Sequence, residues 1–179
     1  MFKTKMPKMN MKILAVVAVM TAGMLGSANV QTNDAAKSGD ISKESSMTHA
    51  KGTFDVKVLP QKADNPQAEA AGLSRMAIDK RFHGDLEAVS TGEMLATGDP
   101  KNSAAYVALE KVTGKLNGRA GTFVLQHDAT MIRGAGTLTV KVVPELSTGE
   151  LTGLTGEMKI EITGGKHYYD FAYSLPEKK

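Results

Sequence analysis

Residues 113–127 read Thr-Gly-Lys-Leu-Asn-Gly-Arg-Ala-Gly-Thr-Phe-Val-Leu-Gln-His, and residues 148–158 return to the same opening as Thr-Gly-Glu-Leu-Thr-Gly-Leu-Thr-Gly-Glu-Met. The shared pattern is T-G-x-L-x-G-x-x-G-x-apolar. Each copy predicts a tight hairpin followed by an alternating strand. Asn117-Gly118 is the stronger turn, because both residue types tolerate the positive φ that a two-residue hairpin demands. Thr152-Gly153 is its echo. A hairpin repeated along the chain announces an up-and-down β protein.

The alternation extends outward from this stretch, apolar on one face and polar on the other, as half-buried strands require. Phe54, Val56 and Val58 share a face of a first predicted strand, and Met76, Ile78 and Phe82 a face of a second. A weakly patterned third runs from Asp85 to about Thr97. A fourth spans Ser103–Thr113, and a fifth Arg119–His127 with Phe123 and Leu125 on one side. Leu138, Val140 and Val142 mark a sixth, Met158, Ile160 and Ile162 a seventh. His167, Tyr169, Phe171, Tyr173 and Leu175 share a face of an eighth. Eight strands joined by short turns predict an all-β fold, a closed eight-stranded antiparallel meander barrel, with a β-sandwich as the alternative. Closure removes edges and leaves an interior for side chains or one small ligand. The turns after the second, fourth and sixth strands lie at one end with Leu86, Leu116 and Leu151, which predicts a plugged end. The long connection from Pro60 to Gly72 and the one from Thr97 to Asn102 lie at the other, where a mouth belongs.

The chain before this domain reads as an address. Lys3, Lys5, Lys8 and Lys12 precede an apolar run from Ile13 to Leu25, and Gly26-Ser27-Ala28 supplies small residues for cleavage. That is the layout of a secretory signal peptide. A membrane-spanning helix needs about 20 apolar residues, more than this run supplies. The expected organisation is a signal peptide over 1–28, a disordered polar tether over 29–48 and the β-barrel domain over 49–176. Losing the leader takes the 22 basic side chains to 18, against 19 acidic, so the alkaline pI is largely a property of the leader. A nearly neutral domain without a clustered basic face offers nucleic acid no partner surface. The chain has no cysteine, which excludes disulfide staples and a lipid-anchored lipoprotein. The expected location is periplasmic or secreted, with no membrane span after processing.

The segment 106–127, Tyr-Val-Ala-Leu-Glu-Lys-Val-Thr-Gly-Lys-Leu-Asn-Gly-Arg-Ala-Gly-Thr-Phe-Val-Leu-Gln-His, resembles the bacterial family known as domain of unknown function 3224. So do Gly-Thr-Phe-Asp-Val at 52–56, Phe-His-Gly-Asp-Leu at 82–86, Val-Val-Pro at 142–144 and Thr-Gly-Glu-Leu-Thr-Gly-Leu at 148–154. The likeness spans about His49 to Leu175. It implies a barrel of the allene oxide cyclase-like type, closed by eight meandering strands. The plant cyclases act on an apolar epoxide inside the barrel; no cyclase motif is present here, so that activity does not carry over.

Few residues offer chemistry. On the fourth predicted strand Tyr106, Ala108, Glu110 and Val112 share one face, and Val107 and Leu109 the other. Either Glu110 enters an apolar lumen, where desolvation would raise its pKa and make it a neutral donor or general acid, or Val107 and Leu109 point inward and Glu110 is solvated or paired with a neighbouring strand. The second is the expected arrangement. His127, on the face of Phe123 and Leu125, is expected at the rim, bonded to a loop carbonyl; its functional reading is a proton shuttle or ligand-binding donor. Tyr169, Phe171 and Tyr173 read first as core. Candidate catalytic residues are thus Glu110 and His127, and candidate ligand-binding residues Arg75, Tyr106, Glu110, His127, His167 and Tyr169. The four histidines divide between the two ends, so no metal is expected. No cofactor is implied: Arg133-Gly-Ala-Gly136 precedes a strand instead of the helix that a phosphate cradle needs. The leading functional expectation is a binding module holding a small hydrophobic or amphipathic ligand in the barrel mouth. An isomerase- or cyclase-type enzyme using a lumen Glu/His pair, and a structural or assembly protein acting through the barrel wall, are the alternatives.

Overall fold

Strict parity organises the inner wall in the computed structural model, which describes residues 47–62 and 64–177. The elements are β1 (Thr48–Gln61), α1 (Pro66–Ala70), β2 (Ser74–Gly84), β3 (Leu86–Asp99), β4 (Ser103–Leu116), β5 (Arg119–Ile132), β6 (Ala135–Val142), β7 (Thr148–Gly149), β8 (Thr155–Thr163) and β9 (Lys166–Ser174). In β2 the even residues Met76, Ile78, Lys80 and Phe82 are buried while Asp79, Arg81 and His83 are exposed. The same parity buries Ala104, Ala108, Glu110, Val112 and Leu116 in β4. Each strand thus gives alternate side chains to the lumen and to the outside.

Consecutive strands pair antiparallel from β1 through β6, β6 pairs β8, β8 pairs β9, and β9 returns to β1. The sheet therefore closes on itself as an eight-stranded antiparallel barrel, with β7 as an additional short strand. Pairing is longest along β3–β4 and β4–β5, the latter registered from Ser103↔Ile132 to Leu116↔Arg119. It is thinnest between β6 and β8, where Lys141↔Glu157 is the registered pair. The expected signal peptide and the tether up to residue 46 lie outside the described residues; the tether's last residue, Thr48, already belongs to β1. No helix among the described residues is long and apolar enough to cross a membrane.

Two expectations are corrected. The second copy of the repeat is not a hairpin like the first. Thr148 and Gly149 form β7 and pair with Thr122 and Gly121 of β5, continuing the line that β6 leaves at Val142. Pro144 has no amide hydrogen to donate to a ladder, and Glu145 adopts φ 63°, so the strand breaks there before resuming. The fifth strand also runs past His127 to Ile132. The long connection after β1 carries one helical turn, α1, with Asn65 as its cap accepting from the Ala68 amide at 2.7 Å and Pro66 in the first turn.

The two ends differ as the turn lengths predict. At the end of the β2–β3 and β4–β5 turns, Leu86, Leu116, Leu151 and Leu154 are fully buried with Phe54, Phe82, Phe123 and Phe171. A smaller cluster of Met76, Ile78, Met94 and Ala108 occupies the other half, flanked by half-buried Val56, Val58 and Tyr106. Outside, Leu95 on β3 faces Val107 on β4, and Val107 and Leu109 are 50% and 59% exposed.

The Asn117-Gly118 turn has φ 46° and 79° at its two residues, the primed geometry its sequence demands. A Cβ built on Gly118 meets nothing within 4 Å, so a substitution there acts through backbone strain alone. Gly118→Val is expected to cost about 1–3 kcal/mol and to lower the melting temperature by several degrees, leaving every lumen group in place. A melting curve identical to wild type would contradict this turn assignment.

Candidate functional site

A polar layer crosses the lumen between the two apolar clusters. Parity and register build it from four neighbouring strands: Lys80 on β2 lies beside Ser90 on β3, Ser90 beside Val112 on β4, and Glu110 one inward position along β4 lies beside Leu125 of β5, two residues before His127. Glu110 has no exposed surface, and the side chains of Lys80 and His127 are 6% and 4% exposed. Lys80 Nζ lies 2.7 Å from Glu110 Oε2, and His127 Nε2 lies 2.9 Å from the same oxygen. The Ser90 hydroxyl donates to Glu110 Oε1. Lys80 Nζ also sits 5.0 Å from the Phe54 ring centroid and 5.8 Å from that of Phe82, where ring faces favour a cation.

The inward reading of β4 is therefore the observed one, and the expected solvated Glu110 is overturned. Val107 and Leu109 face outward instead. Glu110 is also not a neutral donor. Burial pushes its pKa up, but the Lys80 charge and the His127 hydrogen bond outweigh burial and bring the carboxyl from 4.5 down to about 2. His127 is not a rim residue bonded to a loop carbonyl, because β5 extends five residues beyond it. Burial, helped by the Lys80 charge, pushes its pKa below 6.5 against the pull of Glu110, so the ring is neutral near pH 7. A neutral ring beside a carboxylate must donate from Nε2. Its Nδ1 is left as an acceptor without a hydrogen-bond partner among the described residues.

Above this layer a pocket of about 60 Å³ opens toward the mouth. Val56, Val58, Ile78, Leu138, Ile160 and Ile162 form its walls, and Lys80, His127, Tyr106 and His167 supply its polar atoms. Burial, and then the Glu110 charge, push the Tyr106 phenol up to about 12, so it stays protonated. His167 packs against Phe54 with centroids 4.9 Å apart and the rings tilted by 34°, and burial pushes its pKa down.

Of the six sequence candidates, Tyr106, Glu110, His127 and His167 converge here. Arg75 does not: it sits on the odd, outer parity of β2, pairing with Glu93 and with Asp64 of the α1 loop. Tyr169 is at the closed end, its hydroxyl accepting from the Leu86 amide at 2.9 Å and donating to the His83 carbonyl at 3.1 Å. Lys80 and Ser90 are the residues that reading for chemistry passed over. Lys80 falls between Ile78 and Phe82 on the apolar face, and that parity was the available signal. No cluster of three or more His, Asp or Glu side chains among the described residues is placed to hold a metal ion.

Removing one member of a buried ion pair leaves the other charge uncompensated, at a cost of about 3–5 kcal/mol, whereas removing both charges is often nearly neutral. Glu110→Gln is accordingly expected to destabilise strongly at pH 7, and Lys80→Met combined with Glu110→Gln to recover most of the loss. The native pair should weaken in acid. Glu110 is held below its ordinary 4.5, so its contribution is present above about pH 4.5 and fades as the pH falls toward 2; neutral His127 adds a loss of the same sign below about 6.5. Thermal melts across this pH range check both. A double variant no more stable than the single would show that Lys80 and Glu110 are not coupled.

Residues 50–173 match the family described as a protein of unknown function, DUF3224. A crystal structure of a DUF3224-family protein of unknown function from Shewanella oneidensis is similar at 48% sequence identity and a TM-score of 0.67, covering 74% of this chain and 99% of that one. No curated protein matches the chain. A match over most of the described barrel, joined to a solved relative with nearly half its residues identical, establishes that this chain belongs to the DUF3224 family.

Proposed function

We propose that the protein is exported and binds a small apolar or amphipathic molecule in the barrel mouth. The observation that carries this reading is a pocket with aliphatic walls and a floor of converging polar side chains, Lys80, His127 and Tyr106. Pockets of this kind, mostly apolar with a few placed polar groups, are the usual form of small-molecule sites. The 60 Å³ volume is room for roughly four waters. A ligand therefore enters end-first, its head on the floor and its remainder in the mouth. The single registered pair between β6 and β8 supports entry there, because Leu138, Ile160 and Ile162 flank that thin seam and line the pocket. Export rests on the basic, apolar and small-residue order of 1–28.

Protein isolated from the periplasm of an expressing bacterium tests both parts. Its amino terminus is expected near Asn29, and native mass spectrometry with organic extraction is expected to find a bound small molecule that Val58→Trp, filling the mouth, displaces. An amino terminus that retains the 13–25 apolar run would contradict export. Identical extracts from wild type and Val58→Trp would contradict binding.

One observation favours the second reading, an isomerase- or cyclase-type enzyme: Glu110 lies inside the lumen and holds His127 with Nδ1 free. In that reading His127 is the base and Glu110 orients it, the usual division of labour in a carboxylate–histidine pair. It requires that a bound ketone exchange its α-protons for solvent deuterium faster with wild type than with His127→Gln; equal rates would remove it.

A further inference from the structure

The pocket floor has already used its charges on itself. Glu110 accepts from Lys80, Ser90 and His127, so no further cation is needed to satisfy it. The Lys80 charge is met by Glu110 and by the faces of Phe54 and Phe82. The other titratable groups facing the pocket, His127, His167 and Tyr106, are neutral near pH 7 by the shifts described above. A carboxylate or an ammonium entering this floor would lose its water and find no unused counter-charge, a cost that burial of its chain does not offset.

What the floor does leave free is hydrogen bonding. His127 Nδ1 is an acceptor without a partner among the described residues, and neither the Tyr106 hydroxyl nor a His167 ring nitrogen has a hydrogen-bond partner there. Lys80 carries three N–H donors and directs one at Glu110. An acceptor nitrogen on each neutral histidine, His127 and His167, beside several donors suits an oxygen that accepts, and suits best a hydroxyl, which accepts and donates at once.

We infer that the ligand of this pocket is uncharged at its inserted end and carries a hydroxyl or carbonyl oxygen there, received by Tyr106 and Lys80 as donors and, for a hydroxyl, by His127 Nδ1 as acceptor. This rests on the binding reading above and narrows it to neutral alcohols and ketones on an aliphatic body, excluding fatty acids and amines as head-first ligands.

A matched six-carbon series tests it: 1-hexanol, 2-hexanone, hexanoate and hexylamine, titrated near pH 7 into the exported chain and followed by NMR shifts of the lumen methyl groups and the His127 ring. Hexanol and hexanone are expected to bind at least about tenfold more tightly than the two ions, since burying an uncompensated charge costs several kcal/mol. Tyr106→Phe is expected to weaken hexanone by about threefold to tenfold, the range for one hydrogen bond, while the melting temperature reports whether the barrel is intact. Hexanoate or hexylamine binding as tightly as hexanol would overturn the inference and leave the binding reading standing. So would undiminished hexanone binding by a folded Tyr106→Phe variant. Failure of all four probes to shift any lumen signal would overturn the binding reading itself.

Discussion

Glu110 has no contact with solvent, and the barrel's interior is arranged around keeping it ionised. A buried carboxylate without partners would take up a proton or unfold its surroundings. Here three donors from three different strands meet it, and one of them brings a full positive charge. Lys80 is on β2 and Glu110 on β4, with β3 between them. The bond can span that distance only because the wall curves and both side chains point into the same lumen. Gly92, opposite Glu110 on β3, belongs to the same constraint. A Cβ there would lie 2.4 Å from the Leu109 carbonyl oxygen and 2.8 Å from the Glu110 Cα, so the close approach of these two strands depends on the missing side chain.

The polar layer also explains why the interior is divided. An eight-stranded barrel has just enough interior for its side chains to fill. The closed half is filled in that way by aromatic rings, Phe123 stacked on Phe171 at 5.8 Å and Phe82 edge-to-face with Tyr169 at 5.7 Å. The mouth half is lined by smaller groups: Ala104, Ala108 and Ala129 are buried there, with Val56 and Val58 half-buried. The pocket lies in this half, with Val56 and Val58 on its wall. The charged layer is its floor, since aromatic side chains can pack beneath a lysine and its counter-ion but gain little by replacing them.

Most of the barrel was legible in the sequence because period-two alternation and turn chemistry are local. Asn117-Gly118 and Gly164-Gly165 adopt positive φ as their residue types suggest. What local reading missed was non-local. The inward face of β4 was ambiguous, since Val107 and Leu109 offer as much apolar surface as Ala108 and Val112, and only the lysine four strand positions past Met76 breaks the tie. Read together, Lys80 on one apolar face and Glu110 on another are a pair; read singly, each looks like an error in its strand. Small residues hid the end of β5, where Ala129 and Met131 continue the inward face beyond His127. Arg75, read as a ligand-binding residue, lies on the side of β2 opposite Met76 and therefore outside, a consequence of parity that the reading did not apply. For Tyr169 the stripe was read correctly as core, and its hydroxyl is spent on the turn after β2.

A buried salt bridge is weak evidence for stability, because a well-packed apolar group of similar volume often does as well or better. If the layer existed only to hold the barrel shut, Leu or Met at positions 80 and 110 would serve, as Leu86, Leu116, Leu151 and Leu154 serve at the closed end. The placement of the pair is more specific than that. It lies at the boundary between a filled half and an open half, and it is flanked by a tyrosine kept protonated and a histidine kept neutral. Glu110 fixes the histidine's proton on Nε2 and so turns Nδ1 into an acceptor; Lys80 offsets the carboxylate so that the floor as a whole is uncharged. Lys80, Tyr106, Glu110 and His127, from three strands, thereby convert a charged interior into a neutral surface with oriented hydrogen-bonding groups. That conversion is what a binding floor requires and what a packing core does not.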